Sequence, residues 1–273
     1  MSGVQKIIKY LAVAFALFLT FSIISSIASG FAYIGNLFQD DNNNINEEFK
    51  KLEIGNHAKN LDIDIKSSSI LIKTSDKFKV ETSNKYIECK QDKNTIHITE
   101  KNHNWLRKNN NGTLSIYIPE DIILNNFSIE SGAGEVNIEQ LSTKTLNLDL
   151  GAGLVNINKL TVLSNTKIDG GAGEVNIDNS DLGNLDLDMG AGKFALTAKL
   201  HGKSEIDHGL GEIKLNLIGT KDDYQIHVDK GIGNATIDND KINNDQTVGN
   251  GNNIIDIDGG VGNIDINFIE MRN

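Results

Sequence analysis

The segment SGAGEVNIEQL, residues 131–141, places two glycines where a loop could wrap around a phosphate group. A dinucleotide-binding loop needs a third glycine and must lead from a strand into a helix. Here Asn137 stands at the third position, and Val136 and Ile138 alternate with polar residues as in a strand. The segment therefore predicts a turn between two strands and not a nucleotide site.

Histidine and cysteine residues show no arrangement typical of catalysis or metal binding. The six histidines lack the spacing of zinc ligands and stand at positions 57, 97, 103, 201, 208 and 227. His208 and His227 are expected at the surface. Cys89 is the single cysteine, so no intrachain disulfide can form, and no nucleophile motif surrounds it. We predict no enzyme activity and no catalytic, cofactor-binding or metal-binding residue.

Glycine pairs separated by one residue occur seven times along the chain. They stand at 132/134, 151/153, 171/173, 190/192, 209/211, 231/233 and 260/262. The first five copies are 19–20 residues apart and the last two are further apart, which is typical of repeat architectures. Seven such copies are not seven nucleotide sites. The 26 glycines with only 1 proline exclude collagen and favour ordered β structure with glycine corners.

A fixed pattern of acidic and apolar residues surrounds each glycine pair. An acid stands two residues before the first glycine in every copy: Glu130, Asp149, Asp169, Asp188, Asp207, Asp229 and Asp258. Apolar residues alternate on both sides, as at Ile168, Val175 and Ile177. Each copy thus predicts a strand, a glycine corner and a second strand with one buried face. We expect each acid to accept a hydrogen bond from the glycine N–H in an Asx-turn.

One copy is too small to bury its apolar face alone, whereas stacking equivalent strands about 4.8 Å apart buries a continuous column. The sequence therefore predicts an all-β fold, a parallel β-solenoid of about 19–20-residue repeats, preceded by one N-terminal transmembrane helix. Antiparallel hairpins in a sandwich or partial propeller are the alternative. In-register repetition favours the solenoid, and leucines at 141, 160, 182 and 200 are expected to fill a second corner.

Segments outside the seven copies follow the same pattern less strictly. NLDIDIKSSSILIK at 60–73 is similar to NLDLDMGAGKFALT at 184–197, with serines in place of glycines. Further alternating segments lie at 78–82, 95–98 and 114–118. A polar stretch at 100–112 predicts a surface loop with Trp105 as a local packing anchor. The longer separations of the last copies, at 231 and 260, predict an insertion such as NDKINNDQTVGNGNN and an atypical terminal cap.

The N-terminal sequence predicts a membrane anchor. Residues 11–32 carry no charge, and as a helix these 22 residues would span about 33 Å, enough to cross a bilayer. Lys6 and Lys9 precede the apolar run and acids follow it, so the positive-inside rule places the N-terminus in the cytoplasm. A cleaved signal peptide, with Gly30 and Ala32 before the cut, is the alternative, although its apolar core is usually about 7–15 residues.

These patterns divide the chain into four parts. We assign 1–10 to a cytoplasmic N-terminus, 11–34 to the transmembrane anchor, 35–56 to a polar linker and 57–273 to the extracytoplasmic β-solenoid. The predicted localisation is the cell membrane, with a single pass. The net charge of −11 makes nucleic acid an unsuitable partner, and it predicts that the outer part stands away from anionic lipid.

Two functional alternatives remain open from the residues. A carbohydrate-active β-helix enzyme would use carboxylates on one face, and outward acids are plentiful. A calcium-binding β-roll would use the RTX repeat, whose glycines match GGAGEVNID at 170–178. The match fails at the ligand position, where Val175 replaces an aspartate, and the period is about twice too long.

The repeated unit (D/E)-x-G-x-G-x-V-x-I, the segment IYIPED at 116–121 and the N-terminal anchor together resemble a bacterial envelope family. That family is catalogued as "putative adhesins" and was formerly a domain of unknown function; the resemblance spans roughly residues 50–270. It implies an extracytoplasmic, non-catalytic protein, and some members are linked to envelope stress responses. We therefore expect a structural or interaction module whose partners are the membrane, through its helix, and an envelope protein or polysaccharide.

Overall fold

A computed structural model of the chain describes residues 49–52, 54, 58–101 and 112–270. The predicted cytoplasmic segment and transmembrane anchor, residues 1–34, lie outside the described residues, as does most of the predicted surface loop with Trp105. Within the predicted linker, residues 50–52 form a strand. No helix within the described ranges is long and apolar enough to cross a bilayer.

The described chain is all-β, as predicted, with sixteen strands and a single 3-10 turn at Lys221–Asp223. The first seven strands are β1 Lys50–Leu52, β2 Asn60–Ile65, β3 Ser69–Ser75, β4 Lys79–Thr82, β5 Ile87–Asp92, β6 Thr95–Glu100 and β7 Thr113–Pro119. The next five are β8 Leu124–Ile138, β9 Leu141–Ile157, β10 Leu160–Gly183, β11 Leu185–His201 and β12 Lys203–Ile218. The last four are β13 Tyr224–Ile237, β14 Asp240–Lys241, β15 Gln246–Gly249 and β16 Asn253–Ile269.

The seven glycine-pair copies form one parallel stack, which confirms the solenoid and rules out the hairpin alternative. Each of β8 to β13 and β16 contains one copy and pairs in parallel with its neighbours. Equivalent residues face each other, as Ala172 faces Ala191 and Gly173 faces Gly192. The spacing of the sequence repeat therefore sets the register in which neighbouring strands pair.

Each coil consists of three strand segments, as β10 illustrates. Its parts 160–162, 165–170 and 172–177 pair in turn with β9, and the ladder is interrupted between them. The inward residues of all three segments are buried: Val162, Ile168, Val175 and Ile177 are at most 3% exposed. The leucines predicted to fill a second corner, at 141, 160, 182 and 200, are likewise buried. The core is therefore one column enclosed by the coils.

Two glycines are required in each coil because the corners stack backbone on backbone. The second glycine has φ between +132° and +155° in every copy, a region that residues with side chains rarely adopt. A Cβ on Gly173 would lie 2.0 Å from the carbonyl oxygen of Gly153, and a Cβ on Gly171 would lie 2.3 Å from that of Gly151. The glycines therefore serve the close approach of neighbouring coils.

Outward amide side chains also stack in register. The Asn156 amide donates to the Asn137 side-chain oxygen, and the Asn176 amide donates to that of Asn156, each at 3.1 Å. At the end of this ladder the Asn137 amide donates to Glu135 at 2.6 Å. Identical asparagines on successive coils thereby satisfy one another, as in stacked β structures generally.

The spatial order of coils departs from chain order at the C-terminal end. The seventh copy, β16, lies between β12 and β13, which carry the fifth and sixth copies. The predicted insertion forms β14 and β15, and both pair antiparallel with β13. The insertion therefore caps part of the sixth copy, at residues 225–228 and 236–237 of β13, and not the last copy in the chain.

The N-terminal end of the stack is built from the degenerate copy. The strands β2 and β3 pair in parallel with the two halves of β8, which confirms the similarity of residues 60–73 to the repeat. The strands β6 and β7 stack next in parallel, and β5 and β4 cover them antiparallel. At the serine corner the buried Glu100 carboxylate accepts hydrogen bonds from Lys66 and Ser67 N–H at 2.8 and 2.9 Å.

We expect Gly173→Ala to destabilise the fold by at least about 2 kcal/mol in urea unfolding. The added methyl group imposes an unfavourable positive φ and presses on the Gly153 carbonyl, so neighbouring coils must separate. The control is Ala172→Ser, one residue away, which we expect to change stability by about 0.5 kcal/mol or less. Equal effects of the two substitutions would contradict the requirement for glycine at this corner.

Candidate functional site

The acids before each glycine pair form one column on the outside of the stack. Parallel register brings Asp169 opposite Asp149 on one side and opposite Asp188 on the other. In spatial order the column contains Asp64, Glu130, Asp149, Asp169, Asp188, Asp207, Asp258 and Asp229. Asp64 was not among the seven acids of the glycine copies, although the similarity of residues 60–73 to 184–197 contained the signal.

Lysines neutralise this acidic column only in part. Lys66 Nζ lies 3.3 Å from the Asp64 carboxylate, and Lys167 Nζ lies 2.7 Å from that of Asp169. The other six acids form no ion pair with any residue that the structure describes. Burial raises the pKa of Asp207, and the neighbouring carboxylates of Asp258 and Asp188 raise it further.

The predicted Asx-turns are wrong. The only side-chain hydrogen bond formed by the seven predicted acids, among the described residues, is the one from Lys167 to Asp169. The backbone remains extended at the acid and at the following residue, since both stay in the parallel ladder, as Asp169 and Gly170 do. An Asx-turn needs the chain to bend at that point. The bend comes only at the glycines, so the carboxylates point to solvent.

A second outward column runs beside the acids and consists of the residue between the two glycines. Its members from the first four copies are small: Ala133, Ala152, Ala172 and Ala191. The last three coils in space carry Leu210, Val261 and Ile232 at the same position. These three side chains are 45%, 45% and 74% exposed. The corner therefore changes from small to aliphatic towards the C-terminal end of the stack.

His208 is buried, contrary to the expectation of a surface histidine. It is 5% exposed and occupies the inward position taken by Met189 in the neighbouring coil. Its Nε2 atom is buried without a hydrogen-bond partner. Burial lowers the pKa of His208, and a backbone hydrogen bond with Gly192 opposes that shift. His208 follows the outward-facing Asp207 by one residue, so the alternation of side chains along the strand could have predicted its burial.

The remaining reactive side chains in the described ranges do not converge on a site. His97, His201 and His227 lie within 3.5 Å of the carboxylates of Asp62, Asp181 and Asp245, respectively. His57 and His103 lie outside the described residues. Burial raises the pKa of Cys89 on β5 to about 11, so its thiol is protonated and unreactive at neutral pH.

Metal ligands do not converge either in the part of the chain that the structure describes. No group of three or more histidine, cysteine, aspartate or glutamate side chains is arranged there to hold a metal ion. The acidic column provides one carboxylate per coil in a straight line, whereas calcium takes six to eight surrounding oxygens. Val175, at the RTX ligand position, points into the core.

An open depression of about 540 Å³ lies near the N-terminal end of the stack. Its lining residues are Thr74, Ser75, Asp76, Pro119, Glu120 and Asp121. They include three carboxylates but no arginine, lysine or aromatic side chain. The lining therefore lacks the aromatic and cationic groups with which a polysaccharide-cleaving site would hold its substrate.

The parallel stack with glycine corners and outward polar columns defines a repetitive β-solenoid. The Toastrack DUF4097 family matches residues 50–267, which cover nearly all of this stack. The chain belongs to the Toastrack DUF4097 family, and the family resemblance inferred from the repeats is confirmed.

Two solved structures are similar to the chain. One is a "putative cell adhesion protein" from Clostridium sporogenes, with 18% identity and a TM-score of 0.38 over 81% of this chain and 98% of the other. The second is a "putative adhesin" from Bacteroides fragilis, with 18% identity and a TM-score of 0.47 over 80% and 95% of the two chains. Comparison with curated proteins gives no match.

We expect His208→Met to reduce the loss of stability between pH 7 and pH 5.5. Because the folded-state pKa of His208 lies below its ordinary value of about 6.5, the unfolded chain binds the proton more readily. The stability due to neutral His208 is thus complete above that value and is lost as pH falls. Methionine is the native residue at this position in β11. Urea unfolding at each pH measures the effect.

The control for this experiment is Met189→Leu, at the equivalent inward position of the neighbouring coil, which alters core packing without adding or removing a titratable group. It should leave the pH dependence between 7 and 5.5 close to that of the native chain. An unchanged pH dependence in His208→Met would contradict the role of the buried imidazole.

We expect Asp207→Asn to stabilise the fold at neutral pH and low salt. Carboxylates about 4.8 Å apart repel by about 0.9 kcal/mol per pair in water before salt screening. Because the folded-state pKa of Asp207 is raised, its destabilising effect is complete at neutral pH and disappears as pH falls below about 3.9. We expect a gain of about 0.5–1 kcal/mol in urea unfolding, reduced by added salt.

Asp169→Asn is the matched control because Lys167 already neutralises that carboxylate. It should give no gain. A large rise in melting temperature with millimolar calcium, abolished by Asp207→Asn, would instead indicate a cation site in the column.

Proposed function

We propose that the chain is a membrane-anchored, extracytoplasmic β-solenoid that serves as an adhesin-like structural or interaction module of the bacterial cell envelope. The observation that carries this proposal is the unbroken column of outward side chains along a stack covered at both ends. Such a surface presents the same side chains at regular intervals along a line. This arrangement suits the binding of an extended partner, or the holding of other envelope components at a fixed distance. An envelope protein or polysaccharide is the proposed partner.

The N-terminal sequence supports the proposed location. The uncharged run 11–32 follows Lys6 and Lys9, and acids follow the run, so the positive-inside rule favours an outward solenoid. The acidic outer part would be repelled by anionic lipid and would stand away from the bilayer. Some members of the "putative adhesins" family that the repeats resemble are linked to envelope stress responses, and we include that role in the proposal.

A non-catalytic role is supported by family membership and by the evenness of the surface. A carbohydrate-active enzyme needs convergent acids, cations and aromatic side chains in one cleft. The depression between Thr74 and Asp121 provides acids but no cationic or aromatic side chain. The carbohydrate-active alternative therefore lacks an observation in its favour.

The location can be tested with protease added to intact protoplasts that express the full chain with a different epitope tag at each terminus. We expect the C-terminal tag to be lost and the N-terminal tag to be retained, because the positive-inside rule places only the N-terminus in the cytoplasm. Protease added after detergent lysis, which should remove both tags, is the control. Retention of both tags in intact protoplasts would overturn the proposed location.

A further inference from the structure

We propose that Leu210, Val261 and Ile232, with the flanking carboxylates of Asp207, Asp258 and Asp229, form a docking surface for a basic amphipathic helix of a partner protein. We call these six residues the terminal ridge. The proposal rests on the proposed function as an interaction module and names where and how it binds.

The apolar half of the terminal ridge is continuous in space. Leu210 faces Val261 across β12 and β16, and Ile232 faces Val261 across β13 and β16. The three side chains belong to the fifth, seventh and sixth copies, so stacking of the coils brings them together, and the insertion of β16 places Val261 between the other two. In the other four glycine coils the same position holds alanine, so the fold itself does not require a large side chain here.

The acidic half of the terminal ridge runs beside the aliphatic half. Asp207 faces Asp258, and Asp258 faces Asp229. None of the three carboxylates forms a hydrogen bond or an ion pair with any residue that the structure describes, and Lys230 beside them forms no ion pair either. At the other levels of the column, Lys66 and Lys167 neutralise two acids, while Glu130, Asp149 and Asp188 form no ion pair with any described residue. What distinguishes the terminal ridge is that its unneutralised charge lies beside exposed apolar surface.

This coincidence selects the chemistry of the partner. Cations on the partner would relieve the repulsion within the acidic column, and its apolar side chains would cover the aliphatic column. A second copy of the chain docked through the same ridge would bring six carboxylates together. An anionic lipid surface would be repelled for the same reason. A basic, apolar protein segment therefore fits best.

The spacing of the columns favours a helix that lies along the stack. Equivalent residues on successive coils are about 4.8 Å apart, while helix turns are about 5.4 Å apart. Same-face residues of an extended strand are about 6.6–6.8 Å apart. Over three coils, which are two intervals, the residues of a bound helix drift from the coil spacing by about 1 Å, whereas those of a bound extended strand drift by about 4 Å. Two adjacent stripes on a helix, one of lysine and one of leucine, match the two columns.

An unsatisfied polar atom lies beneath the same surface. His208 lines a small cavity together with Val261 and Ile232. Its Nε2 atom is buried and has no partner in the part of the chain that the structure describes. An unpaired imidazole nitrogen therefore lies beneath the exposed apolar groups and the unneutralised carboxylates of the terminal ridge, all within three coils.

The test measures binding of a fluorescent synthetic helix to the full chain in neutral detergent by anisotropy at low salt. The probe has about 18 residues, roughly 27 Å as a helix, with one stripe of leucine and an adjacent stripe of lysine. A peptide of the same composition in scrambled order is the control. We expect the striped peptide to bind and the scrambled peptide to bind at least about tenfold more weakly.

The apolar half is tested with the triple variant Leu210→Ala, Val261→Ala and Ile232→Ala. Alanine is native at this position in four coils, so the variant should fold, which its urea unfolding midpoint verifies. We expect its affinity for the striped peptide to fall at least about tenfold. Affinity equal to that of the native chain would overturn the proposal.

The acidic half is tested with Asp207→Asn, Asp258→Asn and Asp229→Asn. The matched control is Glu130→Gln with Asp149→Asn, which neutralises two unpaired acids beside the alanines at the other end of the column. We expect about tenfold weaker binding for the first set and unchanged binding for the control. An equal loss of affinity in the triple variant and in the control would show that the peptide is attracted to acids in general. Unchanged affinity in the triple variant would show that its carboxylates do not contribute to binding. Either result overturns the proposal.

These outcomes are separate from those of the proposed function. A solenoid that proves to be cytoplasmic in protoplasts but binds the striped helix at the terminal ridge would overturn the location and leave the docking surface. An outward solenoid that does not bind the peptide would overturn the docking surface and leave the location.

Discussion

The structure depends on the close contact between glycine backbones at the corner of successive coils. In six of the seven copies, a Cβ on the second glycine would lie 1.6–2.0 Å from the carbonyl oxygen of the neighbouring glycine. Since every coil must turn at the same level, residues on either side of the corner face their counterparts in the next coil. This contact fixes the parallel register, and from the register follow the core column and every outward column.

Stacking of like residues has opposite consequences for different side chains. Apolar residues form a continuous core, and the asparagines at 137, 156 and 176 satisfy one another through amide hydrogen bonds. Carboxylates repel instead, which contributes to the raised pKa of Asp207. The residue between the glycines is free of these constraints because it points outward from the corner. Its change from Ala191 to Leu210 therefore alters the surface without altering the fold.

A parallel stack also needs its two ends closed, because a free strand edge invites pairing with other chains. At the N-terminal end, β5 and β4 close the stack by antiparallel pairing with β6 and β7. At the C-terminal end, β15 pairs with residues 225–228 of β13 and β14 pairs with residues 236–237, so part of that edge is covered. The folded part is thus a finite stack whose repeated outer columns remain exposed. Such a surface supports the proposed role as an interaction module.

Local sequence determined the strands, the glycine corners, the parallel register and the degenerate first coil, since alternation with period two and a fixed repeat length reflect burial and stacking directly. It did not determine that β16 inserts before β13, because both copies carry the same pattern and only the antiparallel cover of β14 and β15 selects the end coil. The burial of His208 follows from its inward position, and the predicted Asx-turns fail because the strand continues past each acid. The order Leu210, Val261, Ile232 along the stack was decided by tertiary structure alone, because it depends on which coils become neighbours in space.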